Sequence, residues 1–418
     1  MQSLIINIVV FILVFGVIVA IHEYGHLFWA KRSGILVREY AIGMGPKIFA
    51  HRGKDGTLYT IRILPVGGYV RMAGWGDDST EIKKGTPAGL VLVDDKVTRI
   101  NLSEHIELND ALPIFVTDYD FDDALTISGE VSGEEKTFQV AHDATVIEED
   151  GTELLIAPRD VQYQSASIPG KLITNFGGPL NNFILGLLVF IVMVFVQGGV
   201  ASNSNQIGKI EANSAAQTAG LKQGDIITAV GGKSVSNWTE LVSDISSNGS
   251  KEVVLNITRD GQQKEVKVTP QKTADGYKIG FYQHIKTGFW DKITGGFQMA
   301  LSVTTLIFQA LGHLFTHPSL NQLGGPVAIF QATGTAAKQG LVGVLYFLAM
   351  LSINLGIVNL IPIPALDGGK ILINLIEAVR GKPMKQENES IVTMVGVVFM
   401  LLLFVAVTWN DIMRFFVH

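Results

Sequence analysis

The chain has 418 residues, of which 47% are hydrophobic and 17% are charged. Soluble domains carry about 25% charged residues, so this chain is too apolar for one water-soluble globule and too charged to lie in a membrane throughout. Its net charge of −6 gives no indication of nucleic-acid binding. The absence of cysteine excludes disulfides, thiol catalysis and thiolate metal ligands.

Four apolar segments are long enough to cross a bilayer. The first, residues 4–21, contains a single polar side chain, Asn7. We read it as a membrane span and not as a signal peptide, because no basic residue precedes Lys31 and no small-residue cleavage site follows. The other predicted spans lie within 179–197, 341–363 and 391–408.

Basic residues flank these spans unevenly. Lys31 and Arg32 follow the first span, and four more basic residues fill the link between the third and fourth: Lys370, Arg380, Lys382 and Lys385. The positive-inside rule then predicts both termini outside the cell. Residues 23–178 and 364–390 are expected in the cytoplasm, and 198–340 on the extracytoplasmic side.

Two soluble segments of opposite charge follow the first span. Residues 31–72 carry eight basic residues against Glu39 and Asp55, whereas residues 74–160 carry 21 acidic and 6 basic residues. Alternation of apolar and polar residues in the acidic segment predicts a small β-rich insert, whose charge fits a solvated surface. Residues 57–72 read as two strands joined by a turn at 66–68.

The end of the first span carries His22-Glu23-Tyr24-Gly25-His26. Two histidines four residues apart share one helical face, so both imidazoles can bind one Zn²⁺. Glu23 is placed to take a proton from the attacking water. Ionisable groups inside a membrane are costly and usually functional; the alternative is that these histidines only reach the interface. The similar pair His313 and His317 lacks the glutamate and is read as interfacial, with a second metal site as the alternative.

A catalytic zinc needs a third protein ligand, and Asp367 in NLIPIPALDGG is the candidate. The alternative is an aspartate that caps a helix. The first span ends at His22, the second returns across the membrane, and the third ends at Asp367, so the two motifs are expected on the same membrane face, as one metal requires. Residues 293–316 are also apolar, but a further crossing there would separate the two motifs by about 30 Å. We therefore expect 293–316 to be an interfacial amphipathic helix.

These motifs resemble the site-2 protease family, most closely its bacterial RseP/RasP/Eep branch with one PDZ domain. The resemblance rests on five segments: HEYGH, GMGPKIF (43–49), ILPVGGYVRMAG (63–74), FGGPLNNF (176–183) and SINLGIVNLIPIPALDGG (352–369). It implies an intramembrane zinc protease with His22, His26 and Asp367 as zinc ligands and Glu23 as general base and acid. It also implies substrate-gripping roles for Asn354, Asn359, Pro362 and Pro364, which would otherwise serve helix packing and kinking.

A scissile bond within a helix must be unwound, and new partners must replace its backbone hydrogen bonds. Residues 57–72 resemble the family's membrane-associated β-element and offer a strand edge, where Gly67 and Gly68 allow close approach of a substrate backbone. The alternative is a plain cytoplasmic hairpin. Residues 220–227, GLKQGDII, resemble bacterial PDZ domains, which bind extended peptide ends; a steric plug that binds nothing is equally consistent.

The predicted fold is a membrane α-helical protein with four transmembrane helices, an extracytoplasmic PDZ (α+β) domain and a cytoplasmic β-rich insert. The predicted divisions are 1–30 (first span), 31–73 (β-element), 74–167 (acidic insert), 168–198 (second span), 199–275 (PDZ), 276–340 (linker with the interfacial helix), 341–367 (third span), 368–390 (cytoplasmic link) and 391–410 (fourth span).

The predicted protein is a zinc metalloendopeptidase of the plasma membrane. It would cut within the spans of single-span membrane proteins, such as anti-sigma factors or signal-peptide remnants. Its expected partners are those substrates, peptide ends at the PDZ domain and the lipid bilayer, with no nucleic acid. Two other functions are considered. A non-enzymatic scaffold that recruits proteins through its PDZ domain would need no glutamate beside the metal. A zinc transporter or sensor would need more intramembrane His and Asp pairs.

Overall fold

The computed structural model describes residues 2–74, 82–273 and 276–417. The chain divides into two compact units, one made of Met1–Val189 with Ala300–His418 and the other of Phe190–Met299. In chain order the helices are α1 (Gln2–Arg32), α2 (Ile168–Gln197), α3 (Ala215–Thr218), α4 (Trp238–Ser247), α5 (Phe289–Thr316), α6 (Pro326–Lys338), α7 (Gly340–Asn359), α8 (Asp367–Arg380) and α9 (Gln386–Ile412).

The strands fall into two groups along the chain. Those of the first unit are β1 (Val37–Arg52), β2 (Leu58–Met72), β3 (Pro87–Val93), β4 (Lys96–Asn101), β5 (Leu112–Asp120), β6 (Thr126–Val131), β7 (Glu134–Ile147) and β8 (Glu153–Leu155). Those of the second unit are β9 (Val200–Ala201), β10 (Ile207–Ile210), β11 (Ile226–Val230), β12 (Lys233–Ser234), β13 (Val253–Arg259), β14 (Gln262–Val268), β15 (Gln271–Thr273), β16 (Gly276–Lys278), β17 (Phe281–Gln283) and β18 (Ile285–Lys286).

Five of the described helices are long and apolar enough to cross a membrane: α1, α2, α5, α7 and α9. The sequence predicts four spans, and the additional candidate is α5, which covers the predicted interfacial segment. Length and composition alone therefore admit α5 as a span. The combination of membrane-length helices with a β-rich region agrees with the predicted fold class.

The third predicted span ends earlier than the sequence suggested. The apolar run continues to residue 363, but α7 ends at Asn359, and Asp367 is the first residue of the separate helix α8. Pro362 and Pro364 lack backbone N–H donors and cannot continue the helix. The predicted extension of this span to Asp367 is thus corrected to a turn followed by a helix that occupies much of the predicted cytoplasmic link.

The β-element after α1 is one folded sheet built from β1 and β2. The predicted strands within 57–72 are both present, and both halves of β2 pair with the first part of β1, which was not predicted as a strand. Gly68–Met72 pairs with Val37–Ile42, and Leu58–Arg62 pairs with Lys47–Arg52 and also with Glu39–Ile42. The stretch Gly68–Met72 therefore forms one edge of this sheet.

The acidic insert forms a sheet of six strands in the order β4-β3-β5-β6-β7-β8. An additional pairing of β4 with β7 closes the sheet on itself. Its interior is a cluster of buried aliphatic side chains that includes Leu90, Val97, Ile100 and Ile127, all fully buried. The predicted β-rich insert is thus a small closed barrel with its own core.

Ion pairs join the barrel to the β1–β2 sheet. Arg71 lies 3.3 Å from Glu148, and Lys47 lies 3.6 Å from Asp150. Arg52 also donates a hydrogen bond to the backbone oxygen of Glu153. The sequence suggested that the acidic residues of the insert form a solvated surface. In the structure some of them instead pair with basic residues of the preceding segment.

The second unit has a core of buried aliphatic residues around strands β10, β11, β13 and β14. Its GLKQGDII motif has a clear structural basis: Gly220 and Gly224 have positive φ angles, which favour glycine, and Ile227 is fully buried. Asp225 is buried and binds Arg259 at 2.7 Å. Burial alone would raise the pKa of Asp225, but hydrogen bonds from Arg259 and from the Lys222 backbone hold it below its usual value.

Candidate metal centre and active site

Three side chains from distant parts of the chain converge where α1 meets α8. His22 Nε2 and His26 Nε2 lie 3.3 Å apart, and Asp367 Oδ2 lies 3.3 Å from the first and 3.4 Å from the second. Both imidazoles are buried, and the aspartate is largely so. The structure therefore brings together all three residues that the sequence nominated as metal ligands.

The triangle formed by these three atoms fits a zinc ion. Zn²⁺ bound at about 2.0–2.1 Å by nitrogen and oxygen in tetrahedral geometry has ligand atoms about 3.3–3.4 Å apart. Asp367 Oδ2 is a buried atom without a hydrogen-bond partner, and a buried carboxylate oxygen normally has one. One metal ion would satisfy all three atoms and leave the fourth tetrahedral position open. Among the described residues, this is the group of three potential ligands close enough to share an ion.

Local structure explains why Asp367 reaches the histidines. The turn from α7 to α8 folds back on itself, so a Cβ on Gly369 would lie 2.9 Å from Pro364 Cα. Ala365 has a φ of 84°, a left-handed conformation that is uncommon for a residue with a side chain. This tight turn places Asp367 in the first turn of α8, and the two glycines that follow it permit the close packing.

Helix α2 shapes the other side of the centre, a role that the sequence analysis did not assign. The backbone oxygen of Thr174 lies 2.8 Å from His26 Nδ1. One helical turn later, a Cβ on Gly178 would lie 2.8 Å from His22 Cε1 and 2.8 Å from His26 Cε1. The spacing of Thr174 and Gly178, four residues, matches that of His22 and His26, but neither residue type by itself indicates contact with a metal ligand.

Glu23 lies between the metal centre and the β1–β2 sheet. It is half-buried and lies within electrostatic range of His22, His26 and Asp367. On its other side, a Cβ on Gly68 would lie 3.0 Å from Glu23 Cγ and 2.8 Å from Val19 Cγ1. Only glycine allows the strand edge to approach α1 this closely, so the edge and the acidic group are neighbours.

The remaining predicted site residues lie on the elements that lead to Asp367 or to the strand edge. Asn354 is in the last turns of α7, Asn359 ends that helix, and both are half-buried. Pro362 is exposed and Pro364 half-buried in the turn before α8. Gly67, with a φ of 74°, begins the stretch that continues into the Gly68 edge. Within the described part of the chain, these residues make no hydrogen bond or ion pair with the three ligand atoms.

The second histidine pair remains separate from this centre. His313 and His317 are in and just after the last turn of α5, with ring centroids 5.4 Å apart. His317 Nδ1 lies 3.0 Å from the hydroxyl of Thr316. Neither residue joins a group of three potential ligands within the described ranges.

A family model and similar proteins with assigned names both identify relatives of this chain as peptidases. The model of peptidase family M50 matches residues 10–403. A protein of Lactococcus lactis subsp. lactis named as a zinc metalloprotease is 61% identical, with 99% of each chain covered. A protein of Enterococcus faecalis named as the protease Eep is 50% identical, with 98% of this chain and 99% of the relative covered. A solved PDZ domain of an SdrC-like protein from Listeria innocua covers 20% of this chain and 96% of its own, with 21% identity and a TM-score of 0.18.

Proposed function

Because this chain belongs to peptidase family M50 and is a membrane-bound zinc metalloprotease, we propose that it hydrolyses peptide bonds within the transmembrane segments of single-span membrane proteins. The observation that carries this proposal is the position of the three-ligand centre: two of its ligands and the adjacent glutamate belong to an apolar helix of membrane-spanning length. A protease with its ligands on such a helix is suited to substrates that lie in the bilayer.

In this proposal His22, His26 and Asp367 hold the zinc ion, and Glu23 moves the proton. A bound Zn²⁺ polarises a carbonyl and makes water a stronger nucleophile at neutral pH. The carboxylate of Glu23 accepts a proton from the attacking water and then donates it to the leaving amine. His26 keeps its ring orientation because Nδ1 donates to the Thr174 carbonyl.

The strand edge is the proposed support for the unwound substrate. A helix that opens in hydrocarbon leaves backbone groups unsatisfied, at a cost of several kcal/mol for each group. The edge Gly68–Met72 presents backbone groups next to Glu23, and an extended chain can pair with such an edge. Asn354 and Asn359, with Pro362 and Pro364, line the chain segment that leads to Asp367 and would hold the substrate from the other side.

The substrates proposed are anti-sigma factors and signal-peptide remnants. Both are single apolar helices that retain little on their extracytoplasmic side after an earlier cut. The second unit would then act outside the membrane as a PDZ domain that binds peptide ends or excludes bulky substrates. Its GLKQGDII segment and its mixed α and β core support the PDZ assignment.

The proposed topology has four crossings, with the active site near the cytoplasmic face and α5 at the outer interface. Arg414, after the end of α9, donates to the backbone oxygen of Asn321, 3.5 Å away. Asp411 accepts a hydrogen bond from Ala328 N, at the start of α6, and a Cβ on Gly334 later in α6 would lie 2.8 Å from Asn7. The chain after α5 is therefore near the end of α1 opposite His22, which supports an α5 that does not cross.

Cysteines placed at the two ends of α5 test this topology, since the chain has no native cysteine. We expect W290C and P318C both to react with a membrane-impermeant maleimide on intact cells. The control E134C, on an exposed residue of the acidic insert, should react only after permeabilisation. Labelling of positions 290 and 318 from opposite sides would establish α5 as a crossing helix and overturn the four-span topology.

Reconstitution tests the proposed activity. Purified protein in lipid vesicles should cut a single-span substrate within its apolar segment, and the cleaved bond can be located by mass spectrometry. Removal of zinc by a chelator should stop cleavage, and added Zn²⁺ should restore it. Cleavage confined to water-soluble peptides, with the membrane segment left intact, would show that the chain is a membrane-anchored protease of a different kind.

A further inference from the structure

Asn182, on α2, lies next to the ring nitrogen of His22 that does not face Asp367. Its side chain is fully buried, and its Nδ2 lies 3.2 Å from His22 Nδ1. Its Oδ1 is buried and has no hydrogen-bond partner. Ser352 donates to the backbone oxygen of Asn182, not to its side chain. Among the described residues, the amide group therefore has one polar contact, and that contact is with the imidazole of a proposed metal ligand.

The two histidines differ in how their outward nitrogen is held. His26 Nδ1 faces the Thr174 carbonyl at 2.8 Å. A carbonyl only accepts, so Nδ1 of His26 must carry the proton, and Nε2 keeps its lone pair for a metal. His22 has an amide behind it, which can either donate or accept. Which nitrogen of the His22 ring carries the proton therefore depends on whether the oxygen or the nitrogen of the Asn182 amide faces it.

Only one orientation of the amide is compatible with metal binding through His22 Nε2. When Nδ2 faces the ring, it donates to Nδ1, and the proton of a neutral imidazole then lies on Nε2. A half-turn of the amide brings Oδ1, now unpartnered, to face Nδ1–H. Amide orientation is assigned from hydrogen bonding, because the oxygen and nitrogen are nearly interchangeable in shape.

We propose that Asn182 is a positioning residue for the metal centre, and that its Oδ1 accepts a hydrogen bond from His22 Nδ1–H so that the lone pair on Nε2 is directed at the ion. This inference rests on the proposed zinc site of His22, His26 and Asp367. Partners of this kind fix the ring orientation of ligating histidines, and their loss typically costs about 10–100-fold in metal affinity. Asn182 would thus hold the ring of His22 through a side-chain oxygen, as the backbone oxygen of Thr174 holds the ring of His26.

The neighbouring residue provides a matched control. Asn181 donates from its Nδ2 to the backbone oxygen of Ile21, 3.1 Å away. It belongs to the same helix and contacts the same partner helix, but its side chain bonds to a backbone oxygen and not to an imidazole. If these asparagines served only to pack α2 against α1, their replacement would have similar consequences. The proposal requires that the consequences differ.

Zinc affinity of the full-length protein in detergent, measured by competition with a chromophoric chelator, tests the proposal without reference to proteolysis. We expect N182A to bind zinc about 10–100-fold more weakly than the wild type, and N181A to bind it equally well. N182D retains an acceptor for Nδ1–H and should keep the affinity within a few-fold of the wild type.

Each alternative result has a distinct meaning. Equal affinity of N182A and the wild type would overturn the role of Asn182 and leave the zinc site intact. Equal weakening of N182A and N182D, or of N182A and N181A, would indicate packing and would also overturn it. A wild-type protein without a tight zinc site would instead refute the proposed site itself. Retained affinity in N182D and N181A, with loss in N182A, is the outcome that supports the proposal.

Discussion

The E23Q variant should lose cleavage of a reconstituted membrane substrate while it keeps its zinc. Glutamine has nearly the shape of glutamate but cannot accept the proton of the attacking water, and positioned general acid–base groups contribute roughly 10²–10⁴-fold to rate. Glu23 contributes none of the three proposed ligand atoms, which belong to His22, His26 and Asp367, so the metal should stay bound. Zinc content by elemental analysis and cleavage rate by gel assay, on the same preparation, give the two measurements.

An exposed glutamate of the second unit provides the control for E23Q. Glu265 is exposed on β14, and E265Q makes the same chemical change in the unit that does not contain the three proposed ligands. It should cleave at the wild-type rate. Substantial turnover by E23Q would rule out Glu23 as the proton carrier, and loss of zinc from E23Q would mean that this carboxylate takes part in holding the metal.

The three residues that converge at the candidate metal centre could be nominated from the sequence because their positions follow from local spacing or from the predicted topology. His22 and His26 share one helical face by spacing alone. Asp367 is 341 positions after His26, yet the predicted crossings place it on the same membrane face as the two histidines. Both arguments need only helix geometry and bilayer thickness, and neither depends on how side chains pack.

The contributions of α2 could not be found in the same way. Gly178 matters because of space, and Thr174 because of its backbone oxygen, which every residue has. Neither the close packing at Gly178 nor the backbone hydrogen bond at Thr174 can be recognised from the residue type. The β1–β2 sheet was likewise only half predicted, since GMGPKIF has glycines and a proline that are uncommon in strands. Its pairing depends on contacts with 58–72 that lie beyond any local pattern.

The G178A variant should lose most of its bound zinc although the protein still folds. A Cβ at this position would lie 2.8 Å from a ring carbon of each histidine, and closer still to His26 Nε2. The imidazoles can turn away because they are side chains, but that movement takes Nε2 of His26 away from the ion. We expect zinc affinity to fall roughly 100-fold or more, since displaced ligands cost at least as much as lost outer partners.

The direction of the stability change makes this prediction discriminating. Glycine to alanine inside a helix is normally stabilising by about 0.5–1 kcal/mol, and Gly178 lies inside α2. The control G16A, in α1, makes the same change where a Cβ meets nothing within 4 Å, and it should keep its zinc. If G178A binds zinc as well as G16A does, the histidines are not held against α2. If G178A loses zinc while its circular dichroism and protease resistance match G16A, steric displacement of the two imidazoles is the cause, because both variants gain the same helix propensity.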